Sequence, residues 1–198
     1  ISVYARFQKV GINENDPVGK LEDESVEEIT GETYGPLKAL CEKTVQEIYG
    51  DRSLIIRPGL IVGPHDPTDR FTYWPVRVKR SGDVITPDKP DTPVQIIDVR
   101  DLSEFIIKLI EENASGIYNA TGHDIELSLG EMLDACRRVS GSAASFHWAS
   151  VELLKEHDVQ PWSDMPVWIP DTDEDAGFSR VDVSKAIKAG LVFRPLEE

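Results

Sequence analysis

The segment "SLIIRPGLIVGP", residues 53–64, contains two short apolar runs, 54–56 and 60–62, on either side of Pro58-Gly59. A short continuous apolar run is typical of a strand that is buried on both faces, as in a parallel sheet. The segment therefore predicts a buried strand, a break at Pro58-Gly59, and then a second apolar run that leads into a polar loop.

A helix precedes this strand. Between Tyr34 and Tyr49 the apolar residues recur at spacings of three and four, which is the period of one helix stripe; they are Leu37, Leu40, Cys41, Val45 and Ile48. Pro36 is tolerated only in the first turn of a helix, so the helix begins near Thr33, and Gly50 ends it. A helix followed by a buried strand predicts an α/β protein.

The rest of the chain alternates further helices and strands. Residues 5–33 are polar and acidic and predict a long excursion. In the segment 94–113, a strand and a turn lead into an amphipathic helix with its apolar residues inward: Leu102, Phe105, Ile106, Leu109 and Ile110. The other predicted elements are short helices at 72–81 and 182–189, a strand at 116–122, and a helix at 128–141 with Ser128 and Glu131 in capping-box spacing.

The composition narrows the class of partner. The 36 Asp and Glu residues outnumber the 21 Lys and Arg, which gives a formal net charge of −15 without any basic run. Such a surface repels phosphate backbones and anionic lipid, so we expect neither nucleic acid nor a membrane as partner. Cys41 and Cys136 lie in helical apolar patterns and are expected to be reduced core residues of a cytoplasmic protein.

Tyr34 and Lys38 are four residues apart and therefore share one face of the predicted helix. A phenol is a poor base at neutral pH, but a neighbouring ammonium favours the phenolate. The pair suits proton transfer at a substrate hydroxyl while a hydride moves to or from a nicotinamide. The spacing alone is not specific, because it also describes an aromatic and a basic residue that merely share a helix face.

Taken together, these features resemble the extended short-chain dehydrogenase/reductase superfamily, of the NAD-dependent epimerase/dehydratase type. The matching stretches extend over nearly the whole chain: "ISVYA" at 1–5, "YGPLKALCEK" at 34–43, "IIRPGLIVGPHDPTDRF" at 55–71, "IIDVRDLSEFI" at 96–106 and "AGLVFRPL" at 189–196. The resemblance implies an NAD(P)-dependent oxidoreductase, epimerase or dehydratase that acts at a secondary alcohol or ketone.

The resemblance also assigns roles to positions of this sequence. It implies that Tyr34 is the general acid/base and that Lys38 activates it and holds the nicotinamide ribose. NAD or NADP would be contacted by these two residues and by Pro58, Gly59 and Ile61. A small-molecule substrate would face Leu60 and the loop at 64–71, with His65, Arg70 and Trp74 as further candidates.

The implied fold is the second half of a doubly wound, Rossmann-like parallel sheet with a small mixed α/β substrate-binding subdomain. We expect residues 1–114 to belong to the dinucleotide-binding domain, with a partly substrate-facing segment near 64–95. Residues 115–198 would form the substrate-binding subdomain and the C-terminal tail. The helix at 34–49 and the helix at 100–113 are candidates for pairing across a homodimer.

Three departures from the family pattern limit what the resemblance implies. No Gly-rich strand-turn-helix for a pyrophosphate occurs, so we expect the N-terminal half of the same protein to be missing and the isolated chain to be inactive, without measurable NAD(H) affinity. The residue that distinguishes NAD from NADP belongs to that half. Ser2 stands two positions after the expected Ser or Thr, and Val94-Gln95 replaces the arginine of nucleotide-sugar epimerases.

Several residues have a structural alternative. A non-catalytic dinucleotide-responsive or RNA-associated member of the superfamily is the rival function, and His65 with Asp66 fits a solvated loop pair. Asp98, Arg100 and Asp101 fit a turn in which Asp101 caps the next helix. The four tryptophans fit core packing as well as a pocket lining. The four histidines have no metal-ligand spacing, so no metal site is predicted.

Overall fold

A computed structural model describes all 198 residues. The helices are α1 (Tyr34–Tyr49), α2 (Tyr73–Lys79), α3 (Val99–Glu111), α4 (Leu129–Ser140), α5 (Val151–Glu156) and α6 (Ser184–Lys188). The strands are β1 (Leu54–Pro58), β2 (Leu60–Val62), β3 (Asp83–Pro87), β4 (Pro93–Val94), β5 (Ile96–Asp98), β6 (Gly116–Ala120), β7 (Leu127–Ser128) and β8 (Ser145–Ala149). The chain thus has the mixed α/β character that the sequence predicts.

The stretch 54–62 pairs with two different strands. β1 runs parallel to β6, from Leu54 opposite Gly116 to Pro58 opposite Ala120. β2 runs parallel to β5, with Leu60 opposite Ile96. The change of partner falls at Gly59, where a Cβ would overlap the side chain of Thr121. The predicted break in the apolar run is therefore the point at which the strand changes neighbours.

Two larger apolar cores divide the molecule. One lies between α3, β5, β6 and α6 and includes Ile97, Leu102, Phe105, Leu109, Tyr118 and Ala186. The other is enclosed by α2, α4, the parallel pair β3–β8 and the segment around 167–168, and includes Trp74, Val78, Leu129, Met132, Leu133 and Trp168. A short antiparallel pair, β4–β7, adjoins the second core.

The domain boundary at 114/115 stays a prediction, and contacts between the two ranges cross it. Strand β6 pairs with β1, so residues 116–120 complete the sheet of the first part. Segment 73–94 packs instead with residues from 127 to 168. The two parts are interleaved along the chain, because parallel pairing brings together strands that are far apart in sequence.

The helix ends follow local capping chemistry. Helix α4 has the predicted capping box, since Glu131 N donates to Ser128 Oγ at 3.2 Å and Ser128 N donates to the Glu131 carboxylate at 2.9 Å. Helix α3 is capped by Asp98, which accepts from Arg100 N at 2.7 Å. The prediction that Asp101 is the cap is wrong, because Asp101 accepts the backbone N–H of Arg194 at 3.0 Å and pairs with its side chain.

Helix α1 has the predicted bounds but not the predicted buried face. Its only buried residues are Gly35 and Ala39. Cys41 is exposed, and Val45 and Ile48 are 36% and 67% exposed. The prediction that Cys41 is a core residue is therefore wrong. Helical periodicity finds an apolar face, but it does not say which part of the molecule covers that face.

Outside helix α1, three further predictions have mixed outcomes. Cys136 packs against the larger core, and burial raises the pKa of its thiol to about 11. Ile110 is 61% exposed rather than inward. Tyr4 forms an isolated antiparallel bridge with Val18. Residues 5–33 contain no helix or strand, as expected for an excursion. None of the helices combines the length and apolar character that spanning a bilayer requires.

Candidate active site

A cleft of about 990 Å³ lies where β1 ends and β2 begins. Its walls come from residues 1–3, the first turns of α1, the junction of β1 and β2, the loop 63–70, and parts of the segment 162–179. In open α/β sheets, ligands bind outside the carboxyl ends of the parallel strands. The cleft is therefore in the position where this class of fold binds small molecules.

Tyr34 and Lys38 both line this cleft. Tyr34 is 47% exposed, so its phenol is neither sealed in the core nor turned away from the opening. No protein group forms a hydrogen bond with the Tyr34 hydroxyl or an ion pair with Lys38. The two groups stand one helical turn apart on one wall, free to bind a ligand.

A close backbone contact holds the start of α1 in this position. A Cβ at Gly35 would overlap the carbonyl oxygen of Ser2, so only glycine allows the helix to approach the chain start this closely. The turn before the helix is closed by hydrogen bonds from Tyr34 N to Thr30 O at 3.1 Å and from Leu37 N to Thr33 O at 2.8 Å. Ser2 also lines the cleft and is exposed.

The junction of β1 and β2 forms the floor. Pro58, Gly59, Leu60 and Ile61 all line the cleft. Leu60 is buried, whereas Ile61 is 38% exposed, because neighbouring residues of a strand point to opposite faces. The residues that the sequence nominated for cofactor contact and Leu60 are thus brought to the same cleft as Tyr34.

The loop after β2 contributes polar side chains. The Asp66 carboxylate accepts from the Thr68 hydroxyl at 2.6 Å and from Thr68 N at 2.9 Å, and these bonds lower the pKa of Asp66. Arg70 Nε donates to the Thr68 hydroxyl at 3.1 Å. The Arg70 guanidinium also lies over the Trp162 ring, 5.3 Å from its centroid. His65 lines the cleft with a left-handed backbone, φ 69°.

Trp74 is the one nominated site residue that lies elsewhere, and its assignment to substrate is corrected. Its side chain is fully buried in the larger core, and its indole N–H donates to Pro166 O at 2.7 Å. Among the four tryptophans, only Trp162 lines the cleft. Helix α2 packs its inner face against α4, which directs Trp74 away from the opening.

Sequence reasoning missed Glu42 and Arg57, which form a buried ion pair at the inner wall of the cleft. Arg57 Nη2 lies 2.7 Å from the Glu42 carboxylate, and the two side chains are 4% and 14% exposed. Arg57 Nη1 donates to the Tyr4 hydroxyl at 3.1 Å, and that hydroxyl donates to Asn119 Oδ1 at 2.6 Å. The position of Glu42, four residues after Lys38, is the one sequence signal that could have found the pair.

Tyr4, whose hydroxyl accepts the hydrogen bond from Arg57, is itself buried. Burial raises the pKa of the Tyr4 phenol, so this tyrosine remains a neutral hydrogen-bonding group behind the cleft.

The charged cluster at Asp98, Arg100 and Asp101 lies outside the opening and forms the pairs Asp98–Arg100 at 2.8 Å and Asp101–Arg194 at 2.6 Å. These contacts tie α3 to its own first turn and to the C-terminal tail.

The cleft residues suit the nicotinamide and ribose end of a dinucleotide. A free ammonium can bond to ribose hydroxyls, and the apolar Pro58, Gly59 and Ile61 offer a flat surface for a ring. No Gly-rich turn at a helix N-terminus adjoins the cleft to bind a pyrophosphate. The fit is therefore to one half of the cofactor.

Of three comparisons with known proteins, the one with solved structures found similar folds. No protein-family model matches the sequence, and no curated protein matches it either. Among solved structures, the human epimerase family protein SDR39U1 (isoform 2) with NADPH is similar over 100% of this chain and 60% of its own, with a TM-score of 0.63 and 13% identity.

Two further solved structures are similar to this chain. A dTDP-4-dehydrorhamnose reductase from Clostridium acetobutylicum is similar over 94% of this chain and 61% of its own, with a TM-score of 0.57 and 14% identity. A UDP-glucose 4-epimerase from Thermus thermophilus, in complex with NAD, is similar over 96% and 57%, with a TM-score of 0.54 and 16% identity.

At these identities the likeness shows the fold. The chain has the fold of NAD(P)-dependent epimerases and reductases, which is the Rossmann-like α/β fold that the extended short-chain dehydrogenase/reductase motifs predict. It spans about 60% of the length of these neighbours.

Proposed function

We propose that this chain is part of an NAD(P)-dependent oxidoreductase or epimerase that acts at a secondary alcohol or ketone. The observation that carries the proposal is the placement of Tyr34 and Lys38 on one wall of a cleft, with no protein partner for either polar group. Here both groups are available to a ligand at the end of a parallel strand.

Tyr34 moves the proton in this proposal. Its hydroxyl donates a hydrogen bond to the substrate oxygen and gives or takes the proton there, which is general acid/base catalysis. The Lys38 ammonium, one turn along α1, stabilises the negative charge that develops on the Tyr34 oxygen when the proton leaves, and it binds the ribose. Ser2 lies on the same wall and is a further candidate to hydrogen-bond the reacting oxygen.

The proposed cofactor is NAD or NADP. When bound, the nicotinamide supplies or accepts the hydride. Pro58, Gly59 and Ile61 would form the surface on which the ring rests, with Tyr34 and Lys38 at its ribose. Similar structures with NADPH and with NAD support both forms of the cofactor.

The proposed substrate is a small molecule on the other side of the cleft. Leu60, His65 and Arg70 would contact it, together with the ring of Trp162. The segments 73–94 and 127–168 support this wall through the larger core. We propose that this interleaved part, rather than a continuous C-terminal subdomain, sets substrate selection.

The acid/base role is tested by Tyr34→Phe in the full-length protein. We expect turnover to fall by about a hundredfold or more, because a positioned acid/base contributes about 10²–10⁴-fold. The dissociation constant for NADPH, measured by calorimetry, should change by less than about twofold, because the ring and its packing remain. Turnover is followed by the absorbance of reduced cofactor.

A matched control is available on the same helix. Tyr49 is 53% exposed at the far end of α1 and does not line the cleft, so Tyr49→Phe should leave turnover unchanged. If Tyr34→Phe kept most of the turnover rate, or if both variants lost it equally, the assignment of Tyr34 would be wrong.

A further inference from the structure

A buried ion pair joins helix α1 to strand β1 at the inner wall of the cleft. Arg57 Nε donates to both carboxylate oxygens of Glu42, at 3.0 and 3.2 Å, and Arg57 Nη2 donates to one of them at 2.7 Å. Arg57 Nη1 donates to the Tyr4 hydroxyl, and its guanidinium lies over the Tyr4 ring at 5.0 Å. The orientation of the Arg57 guanidinium is thus fixed by its bonds to Glu42 and by its contacts with Tyr4.

The ion pair is the one buried ion pair between α1 and the rest of the molecule, since the other pair that α1 forms, Lys43 with Glu24, is exposed. The buried residues of the helix are Gly35 and Ala39, and their small side chains offer little surface that could define the rotation of the helix about its axis. Apolar contact is non-directional, whereas a bidentate arginine–carboxylate pair fixes both distance and orientation.

Glu42 is well placed to transmit this restraint. It follows Lys38 by one helical turn and Tyr34 by two, so all three project from one face of α1, and all three line the cleft. A rotation of the helix that moved Glu42 away from Arg57 would also turn Tyr34 and Lys38 away from the ligand.

The same geometry has an electrostatic consequence. A lysine and a glutamate four residues apart on a helix are within reach of each other. The Glu42 carboxylate is paired with Arg57, and Lys38 forms no ion pair. Without Arg57, Glu42 would be free to pair with Lys38 and to withdraw the ammonium from Tyr34 and from the ribose.

We propose that Glu42 and Arg57 are positioning residues that hold α1 in register with β1 and keep the Lys38 ammonium free for Tyr34 and the cofactor. The inference rests on the proposed function. It adds two residues whose charged groups bind each other and that act through Tyr34 and Lys38.

The test uses kcat as a function of pH for Glu42→Gln, Arg57→Met and Arg57→Lys in the full-length protein. Besides Lys38, the ionisable groups that line the cleft around Tyr34 are Glu42, Arg57, His65, Asp66 and Arg70. We expect kcat to fall about tenfold or more in each variant, because small displacements of a catalytic group are costly. The Michaelis constant for NADPH should change less than kcat in Arg57→Lys, which keeps the positive charge.

The pH profile separates positioning from simple loss of stability. Glu42→Gln leaves the positive charge of Arg57 unopposed. The limb of the kcat–pH profile that reports the ionisation of Tyr34 should therefore move to lower pH. Arg57→Met leaves the Glu42 anion unopposed and should move the same limb to higher pH. Arg57→Lys should keep the wild-type profile at a reduced kcat. This variant keeps a positive charge opposite Glu42, so it leaves no unpaired buried charge that would prevent folding.

Asp101→Asn is the matched control, because Asp101 and Arg194 form a comparably buried pair outside the cleft. It should lower the thermal midpoint without moving the profile. Shifts in one direction, or no shift, in Glu42→Gln and Arg57→Met would overturn the inference, as would a wild-type kcat in Arg57→Lys. Retained turnover in Tyr34→Phe would instead overturn the proposed function, so the two failures are distinguishable.

Discussion

Arg70 is held in the cleft by two contacts of different kinds. Its Nε donates to the Thr68 hydroxyl, and its guanidinium lies over the Trp162 ring. No carboxylate lies within ion-pair distance of its terminal nitrogens. A guanidinium whose plane is set by stacking is suited to bind a carboxylate or phosphate through two parallel hydrogen bonds. Arg70 is therefore expected to select substrates that carry an anionic group.

We predict that Arg70→Met raises the Michaelis constant for an anionic carbonyl substrate about tenfold or more. A hydrogen-bonded charge pair contributes about 1.5–3 kcal/mol, which corresponds to roughly that factor. Benzoylformate and its methyl ester form a suitable probe pair, because only the acid carries the charge. The Michaelis constant for NADPH should not change, and turnover with the ester should be the same in both proteins.

Arg77 provides the comparison for this experiment. Its side chain bonds to the backbone carbonyls of Ser81 and Asp83, outside the cleft, so Arg77→Met should not discriminate between acid and ester. An equal loss for acid and ester in Arg70→Met would show that Arg70 does not bind the charge.

At the scale of single elements, α1 shows how a helix is placed by its smallest residues. Gly35 lies against the Ser2 carbonyl, and Ala39 packs with Val3, Tyr4, Ile12 and Val181 in a small third core. Larger residues at these two positions would push the helix, and with it Tyr34, away from the chain start. The close approach sets the distance, and the Glu42–Arg57 pair sets the orientation.

Gly35→Ala is predicted to destabilise the protein by about 1–3 kcal/mol, which is the usual cost of overpacking. The added methyl group would overlap the Ser2 carbonyl oxygen. The free energy of unfolding is measured by denaturant titration. Gly31→Ala is the control, because a Cβ there meets nothing within 4 Å. Equal stabilities of the two variants would contradict the close contact.

The bounds of α1 and α4 and the buried residues Leu102, Phe105 and Leu109 of α3 were predictable, whereas the buried face of α1 was not. Helix α1 begins and ends where Pro36 and Gly50 indicate, and α4 has the capping box that Ser128 and Glu131 predict. Capping and turn signals are local, so a few residues are enough to specify them. Exposure depends on what packs against an element, which is why Cys41 and Trp74 were assigned to the wrong surroundings.

Across the whole molecule, Arg180 links segments that are distant in sequence. Its guanidinium bonds to Asp171 at 2.7 and 3.1 Å and to Glu126 at 3.1 Å, and its carbonyl oxygen accepts from Gly11 N at 2.8 Å. Asp171 and Arg180 are each 19% exposed. The hydrogen bond from Arg180 lowers the pKa of Asp171 below its ordinary value of 3.8.

This shift makes a signed prediction for stability. A carboxylate whose pKa is lower in the folded than in the unfolded protein stabilises the fold at pH values above its pKa in the unfolded protein. That contribution is lost as the pH falls through 3.8 towards the lower folded value. Asp171→Asn should therefore cost about 1 kcal/mol of unfolding free energy at neutral pH. The difference from the wild type should disappear in acid.

The measurement is a series of denaturant titrations from neutral to acid pH. Asp173→Asn is the control, because Asp173 is exposed and forms no ion pair. A stability difference for Asp171→Asn that persisted unchanged in acid would rule out the Arg180 pair as its source.

The sequence by itself determined the fold class, the helices α1, α3 and α4, and the candidate pair Tyr34 and Lys38, but it did not predict β3, β8 or α5. These depend on apolar period, on proline and glycine punctuation, and on the helical spacing of two residues, all of which act over a few positions of the chain. The family-like stretches extended this to the junction at Pro58-Gly59.

Only the tertiary structure decided which residues surround that pair. It brought Arg57 of β1 against Glu42 of α1, seated Arg70 on Trp162 across 92 positions of chain, and buried Trp74. It also interleaved the two parts of the molecule, because β6 pairs with β1. Contacts between distant residues depend on strand pairing and packing of the whole chain, which no local pattern encodes.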